Sequence, residues 1–551
     1  MKRIITALLC GLLLLCLNPV VQAETESSFN KGDFTYVLKE DGTAMITAWN
    51  NRTDTKVTIP SELDGHPVSV SNAFQYHSNL TDITIPDSIT NIGKRPFLSC
   101  ENLAAIHVSQ DHPTFAVIDG ILFEKPTKQL ICCPPKREGK TYTIPKGIQS
   151  IADYAFYRCS NLTEIMIPDT VTVIGSDAFC RCSGLSEITI PETITSIGEG
   201  VFSGCSSLTR ISIPGSITSI GNGMFYGCNS LTEIILPGTV AVIGEDAFRD
   251  CSSLTHIMLP DALGSIEAGT FSGCSSLTDI AFPDSITSIG YHAFENCSSL
   301  TEIILPDSGV YIGDYAFENC VSLASVTFPN SVSGMGRNPF AGCGVPISVH
   351  ILPDHPVYSV TDNSLVEKQS GRLVSYLGGQ EARTYTVPND IRIIGDSAFM
   401  NCMGLKEITL PYGLTTIENS AFNNSGLKTI TIPDSVMSIE GYTFARCDFL
   451  KEIVLPAGIT SIENNLFAFC PMAHITIPDG VTSIGDNVFF GCMWLTDITI
   501  PASVESIGKD VFQNCTRLNN ITVARDSYAY QYCKEHGLNY TYLDSLDWLN
   551  N

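Results

Sequence analysis

The feature that most constrains this chain is a period. Proline recurs every 23 residues from Pro145 to Pro329, then resumes from Pro388 to Pro501 in steps of 22 or 23. Phenylalanine keeps the same comb, from Phe156 to Phe340 and from Phe399 to Phe512. One unit reads roughly L-T-E-I-x-I-P-x-x-I-T-x-I-G-x-x-A-F-x-x-C-S-x, and residues 300–322 are a good copy. Counting looser copies around Pro60 and Pro86, about 17 units can be traced, which points to a repeat architecture.

The unit has a direct physical reading. In Glu302-Ile303-Ile304-Leu305, strand alternation puts Ile303 and Leu305 on one face and Glu302 and Ile304 on the other. Pro306 ends that strand, because it cannot donate to a ladder. A second short extended piece follows, such as Ile286 to Ile289, and then a tight Ala-Phe-x-x-Cys corner. No unit can bury its own Leu, Ile and Phe side chains, whereas stacked units bury them in one column. The expected fold is a β-rich leucine-rich repeat solenoid of the α/β type. Its parallel strands would stack into one elongated curved rod, on the order of 80 Å long at a strand spacing of ~4.8 Å. The glycine after the second Ile, as in Gly198, Gly221, Gly290 and Gly485, suggests a turn with positive φ. Glu267, Glu418, Glu440 and Glu463 occupy the same slot, so the requirement is not absolute.

Most of the 21 cysteines lie three residues after the repeat Phe, as Cys182, Cys205 and Cys228 do. A column of equivalent thiols, each facing two equivalent neighbours, suits disulfide geometry poorly. Small buried apolar thiols filling the corner are expected instead.

The comb breaks twice, over 104–144 and 347–387, and the breaks resemble each other. Asp111-His112-Pro113 matches Asp354-His355-Pro356, and Thr141-Tyr142-Thr143 matches Thr384-Tyr385-Thr386. Each break reads as a β-hairpin flap projecting from the rod, the first turning at Asp119-Gly120. His107 with His112, and His350 with His355, lack a local cysteine or carboxylate cluster, so a structural turn with Asp accepting backbone bonds is expected rather than a metal site.

Residues 1–23 read as a signal peptide: Lys2 and Arg3, an apolar run from Ile4 to Leu17, and a cleavage site near Ala23. No later segment has the apolar length of a membrane helix, about 20 residues. The expected division is therefore a signal peptide (1–23), an N-terminal β cap (24–58), repeats (59–103), a flap (104–144), repeats (145–346), a flap (347–387), repeats (388–522) and a C-terminal cap (523–551). A monomer is expected, secreted or at the cell surface.

With 31 Lys+Arg against 57 Asp+Glu, the formal charge is −26, and a nucleic-acid partner is excluded for want of a basic footprint. No nucleophile–base pair, metalloprotease helix, phosphate-binding loop or dinucleotide fingerprint appears. The chain is therefore read as a non-enzyme with no catalytic residues, no cofactor and no metal.

The candidate site is the outward face of the first strand. Over successive units it offers Glu187, Arg210, Glu233, His256, Asp279 and Glu302, with Ile235, Met258 and Ile304 on the same face two positions on from Glu233, His256 and Glu302. Exposed aliphatic side chains on a soluble surface mark a protein contact, unless neighbouring loops cover them. The acids favour basic partners and a salt-dependent association.

The repeat unit, with the opening Tyr36 to Ala44, the Asp-His-Pro insertions and the closing Ser527 to Cys533, resembles the BspA-like surface-antigen family of 23-residue leucine-rich repeat proteins. That resemblance implies a helical C-terminal cap and a bacterial source. It also implies an exported, adhesin-like protein that recognises extracellular or cell-surface proteins, host matrix proteins among them. The alternative is a structural or scaffold component of the cell envelope without a dedicated ligand; a polymer hydrolase is the remaining class.

Overall fold

The structure is a computed structural model and describes residues 28–543. The expected leader, residues 1–23, lies outside the described residues, as do 24–27 and 544–551. The chain divides into two compact units, Met1–Asp119 and Gly120–Asn551.

In the first unit, a five-stranded sheet runs in the order Ser28–Lys31, Phe34–Leu38, Ala44–Trp49, His66–Val70 and Glu62–Leu63. Trp49 is buried, and its carbonyl oxygen lies 2.6 Å from His77 Nε2. Lys56–Thr58, Asp82–Thr84 and Ala105–His107 then pair in parallel, one repeat apart.

The second unit is a β-solenoid. Most windings, or coils, lay down two short strands that pair in parallel with their counterparts in a neighbouring coil. Glu164, Ile165 and Met166 face Glu187, Ile188 and Thr189 in one column, and Ser150 and Ile151 face Val173 and Ile174 in the other. Inward residues at most rungs are buried, and they form two core clusters that divide at the second insertion. Phe179, Phe202, Phe225 and Phe248 lie within the first cluster with centroids 5.4–5.6 Å apart and nearly parallel rings. Burying one such ring contributes on the order of 2–3 kcal/mol, repeated coil after coil.

Left-handed backbone is concentrated at the corner, not at the glycine after the second Ile. Asp177 and Arg181 flank Phe179 with φ of 55° and 60°, and Asp246 and Asp250 flank Phe248 with φ of 53° and 59°. Gly200 and Gly204 do the same around Phe202. Asp, Asn and Gly tolerate this region best. The corner also forms its own rungs: Phe179 N–H donates to the Val201 carbonyl oxygen at 3.0 Å and Arg181 N–H to that of Ser203 at 2.6 Å. These bonds offset a strain of order 1 kcal/mol per residue.

The glycine after the second Ile is required for a different reason. A Cβ on Gly198 would lie 2.5 Å from the Ser176 backbone nitrogen, and one on Gly290 would lie 2.7 Å from that of Ala268. The next residue's N–H is satisfied in two alternative ways. Asp153 Oδ1 accepts from Ser176 N–H at 2.9 Å and Asp314 Oδ1 from Arg337 N–H at 2.9 Å, both from the preceding coil. At two of the four Glu positions the carboxylate reaches back instead: Glu418 Oε2 accepts from Asp396 N–H at 2.8 Å, and Glu440 Oε2 from Asn419 N–H at 3.0 Å, whereas Glu267 and Glu463 accept from Ser265 and Ser461 of their own coils.

The described cysteines are free thiols, most of them buried. Burial pushes the Cys228 and Cys402 thiols up to about 12.

The insertion after Phe340 is a hairpin, with Tyr358–Thr361 antiparallel to Ser364–Glu367. It does not stand clear of the coils. Ser364–Glu367 also pairs with Arg372–Tyr376, which runs parallel to Ile393–Ile394 in the second-strand column. Tyr376 stacks on Phe399 at 5.2 Å, as a repeat Phe would. Of the insertion histidines, His107 and His350 lie on strands, while His112 and His355 are turn residues. His355 is buried, and its Nδ1 accepts from Val357 and Tyr358 N–H at 3.1 and 3.0 Å; His112 does the same for Thr114 and Phe115 in the first unit. Histidine, not the expected aspartate, caps these turns.

At the C-terminal end, Asn520–Val523 pairs with Tyr540–Tyr542, and the intervening helix Tyr528–Glu535 buries Ala529, Tyr532 and Cys533. Ser527 caps this helix by accepting from Tyr530 N–H.

Candidate functional site

The candidate face is built by strand alternation. Ile234, Ile257 and Ile303 point into the core, so their neighbours point out. Ile235, Met258 and Ile304 are 56%, 76% and 58% exposed, so no loop or insertion among the described residues covers them. Six of the nine residues, Glu187, Arg210, Glu233, Ile235, Glu302 and Ile304, sit on three-residue strands. His256, Met258 and Asp279 sit in two coils whose corresponding segments are not paired into a ladder.

The acids of this face are not a bare column. Arg210 Nη2 lies 3.3 Å from Glu233 Oε2 in the next coil, and His256 Nδ1 lies 3.8 Å from Asp279 Oδ1. Each exposed pair contributes at most ~1 kcal/mol to stability. Their larger effect is on the pattern of charge, since both pairs lie consecutively between Glu187 and Glu302.

The first-strand column is also segmented. Thr141–Thr143, Glu164–Met166 and Glu187–Thr189 form one sheet, while Arg210–Ser212 and Glu233–Ile235 form another. A groove of about 440 Å³ straddles this seam, lined by Glu187, Thr189, Arg210, Ser212, Glu233 and Ile235. A second groove, of about 670 Å³, straddles the seam between Glu452–Val454 and His474–Thr476. Val454 in that groove is 71% exposed. The seams bring apolar and charged groups to a concave surface, which suits a protein segment better than a flat ladder does.

Sequence reasoning found the first groove's residues but not the groove, because the coils at the seam carry the same pattern as those beside it. It also missed a half-buried polar group formed by His292, Glu295 and Glu318. Its signal was present: His-x-x-Glu across a corner, with a second Glu one period further on.

The sequence profile of the BspA type leucine rich repeat region matches residues 50–126, 136–255, 242–363, 378–496 and 484–548. The chain belongs to this family. No curated protein matches it. A leucine-rich repeat protein from Bacteroides ovatus ATCC 8483 is 28% identical over 78% of this chain and 98% of its own, with a TM-score of 0.40. A leucine rich cell surface protein from Faecalibacterium prausnitzii A2-165 is 24% identical over 92% of this chain and 97% of its own, with a TM-score of 0.33. The pneumococcal vaccine antigen PcpA is 16% identical over 90% of this chain and 87% of its own, with a TM-score of 0.26. Among the described residues no helix is long and apolar enough to cross a membrane.

Proposed function

We propose that this chain is an exported, adhesin-like binding protein whose first-strand face, from Glu187 to Ile304, holds an extracellular or cell-surface protein. In this reading residues 1–23 are removed on export, and the mature chain acts outside the cell. The reading is carried by the exposure of Ile235, Met258 and Ile304 on a face otherwise set with charged and hydroxyl side chains.

The mechanism is distributed contact. Fully burying three such aliphatic side chains is worth on the order of 5–8 kcal/mol. A micromolar complex needs about 8 kcal/mol after association costs are met. The anchors alone therefore fall short, and the remaining affinity comes from many weak rungs and from Glu187, Glu233 and Glu302 facing basic side chains of the partner.

The test is surface plasmon resonance of the chain lacking residues 1–23 over a panel of immobilised extracellular-matrix proteins, at low and high salt. Saturable binding that weakens with salt supports the reading. Absence of binding across the panel, or binding indifferent to salt, contradicts it.

A further inference from the structure

The polar group at the corner of two coils is arranged for a ligand of its own. His292 and Glu295 flank Phe294, and Glu318 occupies the place of Glu295 in the next coil. The backbone fixes all three. His292 N–H donates to the Asp314 carbonyl oxygen at 3.1 Å, Glu295 N–H to that of His292 at 3.1 Å, and Asn296 N–H to that of Glu318 at 2.8 Å.

The side chains converge. His292 Nδ1 lies 3.2 Å from Glu295 Oε2 and 3.4 Å from Glu318 Oε2, and all three atoms lie within 4.8 Å of one another. The other carboxylate oxygens are held from outside: Asn296 Nδ2 donates to Glu295 Oε1 at 3.2 Å, and Asn401 Nδ2 to Glu318 Oε1 at 3.2 Å. Ser272 Oγ donates to Glu295 Oε2 at 3.3 Å. The Tyr315 ring stacks on the imidazole at 5.3 Å and fixes its plane.

This leaves an unresolved balance. His292 Nδ1 is buried and makes no hydrogen bond, although two carboxylate oxygens face it. Two carboxylates thus stand against one imidazole in this cluster. Arg249, the cation acting on His292, is paired with Asp246 at 3.2 Å.

We propose that His292, Glu295 and Glu318 form a three-ligand site for a divalent transition metal of the zinc class. Such a cation neutralises both carboxylates and uses the lone pair on Nδ1. In a tetrahedral zinc site with bonds of ~2.0–2.1 Å, neighbouring ligand atoms stand roughly 3.3–3.4 Å apart. The two separations from Nδ1 already have that length. An imidazole with two carboxylates suits zinc or manganese, whereas calcium takes six to eight oxygens. The outer hydrogen bonds from Asn296 and Asn401 orient the ligands as a second shell does. Bound there, the metal clamps two coils together and draws in Asn401 from beyond the second insertion.

The test is calorimetric titration of the chelator-stripped chain with Zn2+, repeated for His292→Ala and Glu295→Gln. The unmodified chain is expected to bind one more equivalent of Zn2+ than either variant, and its melting temperature to rise with Zn2+ where theirs does not. Co2+ in place of Zn2+ should give d–d absorption that His292→Ala abolishes. Circular dichroism establishes that the variants fold, and Glu295→Gln retains the packing should His292→Ala fail to. Equal zinc stoichiometry in the chain and the folded variant, or no zinc binding at all, overturns the proposal.

Discussion

The thiol of Cys228 donates to the carbonyl oxygen of Phe202, 3.1 Å away in the preceding coil. Cys205 repeats the contact with Phe179 at 3.2 Å, and Cys251 with Phe225 at 3.2 Å. The cysteine ladder is thus a hydrogen-bonded seam beside the phenylalanine stack. A thiol suits it because it is small enough for the corner and still offers a donor to a carbonyl that faces no water.

The ladder makes the chain sensitive to alkali. Burial raises the folded-state thiols above the ordinary value of 9.0, so the folded state keeps protons that the unfolded state loses. Their contribution is fully present below pH 9 and is lost as pH rises from there toward about 12. Each ionising thiol is worth up to ~1.4 kcal/mol per pH unit in that window. Urea unfolding should show stability falling steeply above pH 9, with a shallower fall in Cys228→Ala. At neutral pH, Ellman's reagent should react slowly with the native chain and fully after denaturation.

Phe248 lies between Phe225 and Phe271, 5.4 Å from each. Phe248→Ala opens a void in the middle of the stack and should cost about 3–5 kcal/mol in urea unfolding. A loss below ~1 kcal/mol would mean that the stack does not hold the coils together.

Two glycines separate close approach from mere turn preference. A Cβ on Gly198 would lie 2.5 Å from the Ser176 backbone nitrogen, whereas nothing lies within 4 Å of a Cβ on Gly238. Gly198→Ala should destabilise by roughly 1–3 kcal/mol, the cost of overpacking. Gly238→Ala should leave the melting temperature unchanged. Equal effects would contradict the geometry.

The repeat, the two strand columns and the buried faces of Ile303 and Phe248 were legible in the sequence because each rests on alternation or on period. The features that misled are those that depend on the neighbouring coil. Gly198 reads as a turn residue, and only the approach of Ser176 shows otherwise. His355 reads as a bystander to Asp354, yet its imidazole accepts the turn's two N–H groups. The second insertion reads as a flap because its hairpin signal is local, while the pairing of Arg372–Tyr376 with Ile393–Ile394 is not. On the candidate face, the outward direction of Ile235 and Met258 followed from alternation. The Arg210–Glu233 pair needed the register of two coils, and the seam beside Arg210 has no local signature at all.

The most direct test of the proposed face is the affinity of Ile235→Asp/Met258→Asp/Ile304→Asp, made together, for whichever matrix protein the unmodified chain binds. All three side chains are exposed, while Ile234, Ile257 and Ile303 beneath them are untouched, so the melting temperature should hold. The expected result is loss of binding by at least tenfold, about 1.4 kcal/mol, with unchanged thermal unfolding. Full affinity in the triple variant would show that the partner is held elsewhere on the chain.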